Sequence, residues 1–245
     1  MNTHGTKRDG ALLLPVGRER SDETAAKGYT AQTHQHGARI SMANEGDSPP
    51  HHNRLHCYDD LDGSLQHAWS ILTRGAVDAK SDFHIATLAT VTEDGRPRAR
   101  SVVLRACNAA ERWLGFNTDR RSAKLTECSD SPHAVMHFYA PKAKIQLRIR
   151  AQLEVLDGPA LDANWANTRP FSRVCYQVTQ PPGSPIDAPL DVSFNAEASN
   201  DGADHFASIR AHVYEIEWLY LHARGHRRAL YRFGSDGDEA TWLVP

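Results

Sequence analysis

The stretch Lys144-Ile-Gln-Leu-Arg-Ile-Arg-Ala-Gln-Leu-Glu-Val155 alternates apolar and polar side chains along its whole length. Successive side chains of an extended strand point to opposite faces, so this period of two predicts a β-strand with one buried face. The polar face carries Gln146 and Arg148. The apolar face consists of Ile145, Leu147, Ile149, Ala151, Leu153 and Val155. The stretch therefore predicts a half-buried strand of an antiparallel sheet.

Shorter runs on both sides of this strand predict the rest of the fold. Phe83 to Val91 and Arg98 to Arg105 flank the turn Glu93-Asp-Gly-Arg-Pro97, which is typical of a hairpin. Further β-like runs are Trp113 to Asn117, Ala134 to Tyr139, Val213 to His222 and Arg227 to Phe233. A helix is predicted over 64–75, with Gly75 as its C-terminal cap, and a second helix is predicted from the capping residue Asp119 to about Cys128. Two more helices are predicted over 160–167 and 171–178. The pattern predicts an α+β protein built on an antiparallel β-barrel of about six strands with short peripheral helices.

Composition excludes several classes of protein. The 245-residue chain has a formal net charge of −2, whereas a general nucleic-acid-binding protein is usually strongly basic. No apolar run approaches the ~20 residues of a membrane span. The four cysteines are widely spaced and form no C-x-x-C pair, which argues against a disulfide framework. They are Cys57, Cys107, Cys128 and Cys175. We expect a cytoplasmic protein that acts on a small molecule, with neither nucleic acid nor membrane as a partner.

Residues 1–53 differ in composition from the rest of the chain. They are rich in Gly, Thr and His and lack hydrophobic periodicity, so they cannot bury enough apolar surface to offset the entropy of ordering. We expect a disordered tail over 1–53 and one domain over 54–245, and a chain that begins at Met42 should still fold. No metal site is predicted, because the tail histidines have no carboxylate or cysteine partners at usable spacing.

Three of the predicted elements carry cationic and amide side chains. These are the strand Arg100-Ser-Val-Val-Leu-Arg105, the strand-to-helix segment Phe116-Asn-Thr-Asp-Arg-Arg-Ser-Ala-Lys124, and the polar face of 144–150. The second segment opens a helix, where free backbone N–H groups and the helix dipole favour an anion. Fixed cations on neighbouring elements repel one another unless they share an anion. A phosphate site is therefore favoured over the alternative of a solvated basic surface.

The C-terminal sequence Trp218-Leu-Tyr-Leu-His-Ala-Arg-Gly-His-Arg-Arg228 supplies a second motif. Its Arg224-x-His226-x-Arg228 spacing after a tryptophan resembles the segment that closes the flavin and substrate site of the pyridoxamine 5'-phosphate oxidase family. With the basic segments, the resemblance covers roughly residues 60–233. It implies a split β-barrel that binds FMN, a homodimer with the flavin at the interface, and an oxidoreductase activity.

The resemblance also implies roles for individual residues. The expected FMN-binding residues are Arg100, Ser101, Val102, Val103, Asn117, Thr118, Ser122, Lys124, Gln146, Gln180 (or Ser184), Trp218 and Arg228. Arg105 and Arg169 would contact the substrate, and Arg224 and His226 would be the catalytic residues that orient it. Because the family's site lies between two chains, these residues would come from both protomers.

Four positions depart from the family's pattern. Ala123 stands where the Ser-Arg-Lys motif has arginine, and Arg105 replaces a lysine with different hydrogen-bond geometry. Trp165 and Arg173 stand where a tyrosine and a serine would contact the substrate phosphate. The FMN half is thus better matched than the vitamin B6 half, so we expect a small anionic substrate other than pyridoxamine 5'-phosphate. Two alternatives stay open: a non-catalytic flavin-binding or flavin-sensing protein, and a split barrel for another anionic cofactor.

Overall fold

The computed structural model describes residues 55–190 and 200–245. It contains the strand that the alternation after Lys144 predicts, and this strand lies in the middle of the sheet. The strands are β1 (Ile85–Val91), β2 (Pro97–Asn108), β3 (Trp113–Asp119), β4 (His133–Ala140), β5 (Ile145–Val155), β6 (Phe206–Tyr220), β7 (Arg227–Gly234) and β8 (Gly237–Leu243). The α-helices are α1 (Leu61–Val77), α2 (Ala123–Asp130), α3 (Gly158–Asn167) and α4 (Pro170–Arg173). The expected tail over 1–53 lies outside the described residues.

The sheet closes on itself to form a barrel. Its strands are antiparallel and follow the order β3-β2-β1-β4-β5-β6-β7-β8. β3 also pairs with β6, from Trp113 opposite His212 to Asp119 opposite Phe206, so six strands make a ring. β7 and β8 extend the sheet beyond β6. The predicted α+β fold, an antiparallel split barrel of about six strands with peripheral helices, is confirmed.

The apolar faces of the strands fill the barrel interior. Side chains that are paired across β4, β5 and β6 form buried rows, namely Met136–Ile149–Ile216 and Phe138–Leu147–Trp218. Burying one such side chain stabilises the fold by about 1.5–3 kcal/mol. A register slip of one residue would turn a whole row toward solvent, so the alternation of β5 fixes its register.

Helix α1 packs against β2 and is held to the sheet by polar contacts as well as apolar ones. Asp60 is its N-cap, and the Asp60 carboxylate accepts a hydrogen bond from Gly63 N at 3.0 Å. The buried hydroxyls of Ser64 and Tyr231 lie 2.6 Å apart. Leu72, on the same helix, is fully buried. These contacts hold α1 against the sheet, with its first turn fixed to β7.

Gly75 is not the C-terminal cap that the helical spacing predicted. Helix α1 continues to Val77, and the C-cap is Asp78, whose N–H donates to the carbonyl oxygen of Arg74 at 2.9 Å. A Cβ at Gly75 would lie 2.3 Å from the carbonyl oxygen of Phe83. Glycine is required here because the segment that leads into β1 crosses the helix, and not because the helix ends.

Other boundaries also differ from the prediction. Asp119 ends β3 instead of capping α2, because its carboxylate is bound by Arg121 and Ser122 takes the N-cap position. The helix expected over 171–178 is short, since α4 gives way to a 3₁₀ turn at Val174–Tyr176. β8 was not predicted because its exposed side chains show no alternation. Among the described residues, no helix combines the length and apolar character that crossing a bilayer requires.

Gly75→Ala is expected to destabilise the protein, because the added Cβ forces the Phe83 carbonyl group or α1 to move. Overpacking of this kind costs about 1–3 kcal/mol, and the better helix propensity of alanine offsets at most about 1 kcal/mol. Ser70→Ala, at an exposed position of the same helix, should stay within about 0.5 kcal/mol of the parent. Urea unfolding followed by circular dichroism measures both, and a Gly75→Ala variant as stable as the parent contradicts the close packing.

Candidate functional site

Three expected cofactor-binding residues meet at one end of the barrel, where β3 leads into α2. Lys124 Nζ donates to Thr118 Oγ1 at 2.8 Å, and Thr118 Oγ1 lies 3.3 Å from Ser122 Oγ. Ser122 is the N-cap of α2, and its hydroxyl donates to the carbonyl oxygen of Asp119 at 2.7 Å. The start of a helix, two hydroxyls and one ammonium group therefore lie together at this end.

Arg100 reaches the same end of the barrel from β2. Its register partner is the buried Leu88, so its side chain starts on the inner face of the sheet. The Arg100 guanidinium donates to Glu127 Oε2 at 2.6 Å and also to Thr90 Oγ1, and Thr90 Oγ1 donates to that carboxylate oxygen at 2.5 Å. Burial raises the pKa of the Glu127 carboxyl, but the hydrogen bonds from Thr90 and Arg100 outweigh this effect and hold it below its usual value.

The cluster of Arg100, Thr118, Ser122 and Lys124, called here the phosphate cluster, has surplus positive charge. Burial and the nearby Arg100 guanidinium lower the pKa of Lys124. Glu127 also lies 3.5 Å from Arg98 Nη1, so this one carboxylate is shared between two arginines. An added phosphate dianion would balance the surplus and raise the pKa of Lys124 again. The donor set therefore suits a terminal phosphate group.

Arg121 does not supply the arginine that the Ser-Arg-Lys motif lacks. Its Nη2 donates to Asp119 Oδ2 at 2.7 Å, and its guanidinium donates to the carbonyl oxygens of Val178 and Thr179, both at 2.9 Å. These contacts tie the segment before Gln180 to the start of α2. Gln180 is exposed, and its Oε1 accepts a hydrogen bond from Thr179 Oγ1 at 2.9 Å. Gln180 thus lies close in the chain to a segment that is held beside the phosphate cluster.

A pocket of about 580 Å³ lies between helix α3 and the strands β2, β3 and β6. It brings together three expected residues, Arg105, Asn117 and Arg169. Asn117 Nδ2 lies 3.5 Å from the hydroxyl of Thr168, the residue before Arg169. A third arginine, Arg210, also lines the pocket, and the described lining residues include no Asp or Glu. The pocket, called here the arginine pocket, is therefore strongly cationic.

Trp165 and Arg173 contact each other and do not line the arginine pocket. The guanidinium carbon of Arg173 lies 4.7 Å from the centroid of a Trp165 ring, and Arg173 Nη2 donates to the carbonyl oxygen of Trp165 at 2.8 Å. Their neighbours Asn164 and Ser172 line the pocket instead. Asn164 Nδ2 donates to Ser208 Oγ at 2.8 Å, which fixes its amide. Helices α3 and α4 thus present the Asn164 amide and the Ser172 hydroxyl to the pocket, at positions adjacent to those that the resemblance implies.

The expected residues of β5 and β7 project from the outer face of the sheet. Gln146 and Arg228 are the register partners of Leu219 on its two sides. Arg228 Nη2 donates to Glu217 Oε2 at 2.9 Å, and Arg148 Nη2 donates to the same oxygen. The Glu217 side chain is only 4% exposed. Arg228 Nε is buried and has no hydrogen-bond partner in the described part of the chain, so this arginine retains an unused donor.

Four other expected residues divide between the two faces of the sheet. Ser101 and Val103 lie on the outer face of β2, whereas Val102 is opposite the buried Ala86 and faces inward. Trp218 also faces inward and is fully buried. Its Nε1 is buried without a hydrogen-bond partner among the described residues. Val102 and Trp218 are thus buried inside the barrel, and their cofactor-binding roles stay predictions.

The loop between β6 and β7 carries Arg224 and His226, both exposed. His226 Nδ1 accepts a hydrogen bond from His222 N at 3.0 Å, and Tyr58 Oη donates to the carbonyl oxygen of Gly225 at 2.6 Å. His226 helps to line a separate cavity of about 310 Å³, next to β8. Neither Arg224 nor His226 lines the arginine pocket. The loop is thus held in place, but away from the other substrate residues of its own chain.

Within one chain the expected residues do not form one site: apart from the Arg224–His226 loop and the residues inside the barrel, they fall into three groups. Two strands separate β2 from β5 in either direction around the six-strand ring, so these strands lie on opposite walls. The phosphate cluster and the arginine pocket both use β2, whereas Gln146 is on β5 and Arg228 on β7. Gln146 and Arg228 therefore lie on a different wall of the barrel from the phosphate cluster and the arginine pocket of the same chain.

Sequence reasoning missed the buried carboxylates of Glu127 and Glu217, which bind Arg100 and Arg228. Glu127 lies three residues after Lys124 on α2, so helical spacing could have placed it beside the phosphate cluster. Glu217 contacts Arg148 and Arg228 only because β5, β6 and β7 pair in one register, and a single sequence does not give that register. The pocket residues Asn164, Ser172 and Arg210 were also missed.

Comparison with known proteins identifies the family. Residues 66–157 match the pyridoxamine 5'-phosphate oxidase, FMN-binding domain. A pyridoxine/pyridoxamine 5'-phosphate oxidase of Pseudomonas syringae is 31% identical over 202 residues, which covers 74% of this chain and 87% of that protein. The chain belongs to the pyridoxamine 5'-phosphate oxidase family. Pyridoxine/pyridoxamine 5'-phosphate oxidase 2 of Arabidopsis thaliana is 32% identical over 131 residues, which covers 49% of this chain and 66% of that protein.

A solved structure agrees with the fold. The pyridoxamine 5'-phosphate oxidase-related, FMN-binding protein of Nostoc punctiforme has a TM-score of 0.58 at 24% identity, over 76% of this chain and 98% of that one. At this identity the likeness shows the split barrel alone. FMN is the cofactor of the matched domain family, and the surplus charge and hydroxyl donors of the phosphate cluster fit its terminal phosphate.

Lys124→Ala and Arg228→Ala should each weaken FMN binding. A charge-assisted hydrogen bond contributes about 1.5–3 kcal/mol, so the dissociation constant should rise roughly tenfold or more in each variant. Lys80→Ala, at an exposed position outside the three groups, serves as the control. Fluorescence titration of the flavin-free protein with FMN measures the constants. Unchanged affinity in the Lys124→Ala variant would show that the phosphate lies elsewhere.

Proposed function

We propose that the chain is an FMN-dependent oxidoreductase that acts on a small anionic substrate. The observation that carries this proposal is the arginine pocket, which Arg105 and Arg169 both line and whose described lining residues include no carboxylate. Strand β2 supplies both Arg105 to this pocket and Arg100 to the phosphate cluster. Bound FMN supplies the redox chemistry by accepting a hydride equivalent and passing the electrons to an acceptor.

The protein's own contribution is to bind and orient the substrate. Guanidinium groups such as those of Arg105 and Arg169 match the geometry of carboxylate and phosphate oxygens. The amide of Asn117 and the hydroxyl of Ser172 add neutral polar groups to the same pocket. Because the described lining residues include no Asp or Glu, we assign no carboxylate base, in keeping with a hydride route.

We propose a homodimer that completes the site. Ile85 is 55% exposed and Tyr139 is 43% exposed, although both belong to barrel strands. Ile85 pairs with Val103 and Tyr139 pairs with Gln146, so these apolar side chains lie on the outer face beside two expected flavin contacts. Exposed apolar side chains on a barrel wall favour a protein interface. A second copy packed there would supply its Arg224–His226 loop to the arginine pocket, and sedimentation velocity should show a dimer.

A non-catalytic flavin-binding or flavin-sensing protein is the second candidate. The contact between Trp165 and Arg173 favours it, because both positions have lost the polar groups that the family pattern uses for the substrate phosphate. Such a protein would keep the phosphate cluster and bind FMN without being reduced by a substrate. The two candidates therefore differ in turnover and not in flavin content.

The cytoplasm is the compartment that we propose. The four cysteines at 57, 107, 128 and 175 are all free thiols in the structure. Burial raises the pKa of the Cys128 thiol to about 11, so little of its reactive thiolate is present near neutral pH. Free thiols persist in a reducing compartment and are less common in secreted proteins. The free thiols thus support a cytoplasmic location. Because burial disfavours the thiolate of Cys128, we assign this residue no part in the reaction.

Anaerobic titration of the FMN-loaded protein with small anionic amines, anionic alcohols and reduced nicotinamides tests the proposal. Hydride transfer to the flavin bleaches its visible band. Arg105→Gln should raise the substrate concentration for half-maximal reduction roughly tenfold or more, because it removes a charge-assisted hydrogen bond. Arg96→Gln, in the exposed turn before β2, is the matched control and should behave like the parent. An FMN-loaded protein that none of these compounds reduces supports the binding-only candidate.

Pyridoxamine 5'-phosphate itself should be oxidised slowly or not at all. Trp165 and Arg173 replace groups that the resemblance expects at the substrate phosphate, and they pack against each other instead. A site that lacks hydrogen-bond partners for a substrate discriminates strongly against it. Oxygen uptake with saturating pyridoxamine 5'-phosphate is the measurement. Turnover of about 1 per second or faster would make this chain a vitamin B6 enzyme.

A further inference from the structure

Arg210 enters the arginine pocket from the side opposite Arg105. Strand β3 lies between β2 and β6, and its Gly115 pairs with Ala106 on one side and with Arg210 on the other. Arg105 immediately precedes Ala106, so the two arginines stand on strands that are two positions apart. Strands spaced by about 4.8 Å put their backbones roughly 10 Å apart. Gly115, which has no side chain, lies between the two arginines on the pocket wall.

The guanidinium of Arg210 is held in place, but its hydrogen-bonding capacity is largely unused. Its central carbon lies 4.8 Å from the centroid of a Trp113 ring. Glu154 Oε2 approaches Arg210 Nη1 only to 3.7 Å, whereas the same oxygen lies 2.8 Å from His212 Nε2. Arg210 Nε is buried and has no hydrogen-bond partner within the described residues. An arginine that is fixed by stacking and left with free donors can bind an anion at little entropic cost.

We propose that Arg210 binds a second anionic group of the substrate. The substrate would then be a small molecule with two negatively charged groups, one held by Arg105 and Arg169 and the other by Arg210. Its uncharged middle part would lie over Gly115. This inference rests on the proposed function, because it uses the same pocket, and it adds the substrate class.

A purely structural role for Arg210 predicts a different behaviour. If the guanidinium served only to stack on Trp113, its removal would lower the melting temperature without changing which anions bind. If it binds substrate, its removal abolishes the preference for two charges over one. The two roles therefore separate in a comparison of ligands on one folded variant.

The experiment measures binding of unbranched dicarboxylates and monocarboxylates of equal carbon number, from three to six carbons, to the FMN-loaded protein by titration calorimetry. The parent should bind at least one dicarboxylate roughly tenfold or more tightly than its matched monocarboxylate, as one additional charge-assisted hydrogen bond would give. Arg210→Gln should remove this preference and leave monocarboxylate binding unchanged. Arg210→Lys should keep part of it, and Arg96→Gln all of it. The flavin absorbance and the melting temperature report whether each variant is folded.

Failure of the inference and failure of the proposed function give different results. Suppose that Arg105→Gln weakens binding, but that the parent shows no preference for two charges or that Arg210→Gln keeps this preference. The arginine pocket is then an anion site, and the proposed role of Arg210 is wrong. If no acid binds to the parent and Arg105→Gln changes nothing, the arginine pocket is not an anion site, and both proposals fail.

Discussion

The pairing of β3 with β6 is the constraint on which the rest of the structure depends. It converts a row of strands into a closed ring and leaves no free edge among the six barrel strands. Closure also gives every strand one face toward the barrel interior and one face toward the outside. Side chains that are one residue apart therefore lie in different environments. Arg100 turns inward to the end of the barrel, and Ser101, its neighbour, turns outward. The placement of each group of polar residues follows from this ring.

Buried carboxylates organise the arginines on both walls of the barrel. Glu127 holds Arg100 at the barrel end, and Glu217 holds Arg228 together with Arg148 on the outer face. A buried charge is costly unless it is paired, so each glutamate needs its arginines as much as it orients them. Donors fixed in this way need not reorganise when an anion arrives, which is the property that electrostatic binding sites exploit.

The sequence predicted the fold better than the site, for physical reasons. The alternation of β5 and the helical period of α1 are local patterns, and both elements formed where these patterns lie. The two exposed faces of β8 left no such pattern. The family resemblance implied that Trp165 and Arg173 stand at the substrate, whereas their neighbours Asn164 and Ser172 are the residues that line the arginine pocket. The face that a helix turns toward a pocket and the register that two strands adopt are tertiary properties, which local patterns do not encode.

Strand β2 continues through the irregularity in its pairing with β3, between Leu104 and Ala106. Arg100 and Arg105 stand on one continuous strand, five residues apart in number and roughly 15 Å apart in space. If Arg100 binds the cofactor phosphate and Arg105 binds the substrate, as proposed, the geometry of this strand and not a loop sets the distance between the two bound groups. Loops around the barrel can lengthen, shorten or exchange side chains while this distance stays constant. Residues that contact the substrate can then change without altering the spacing between the substrate and the cofactor phosphate.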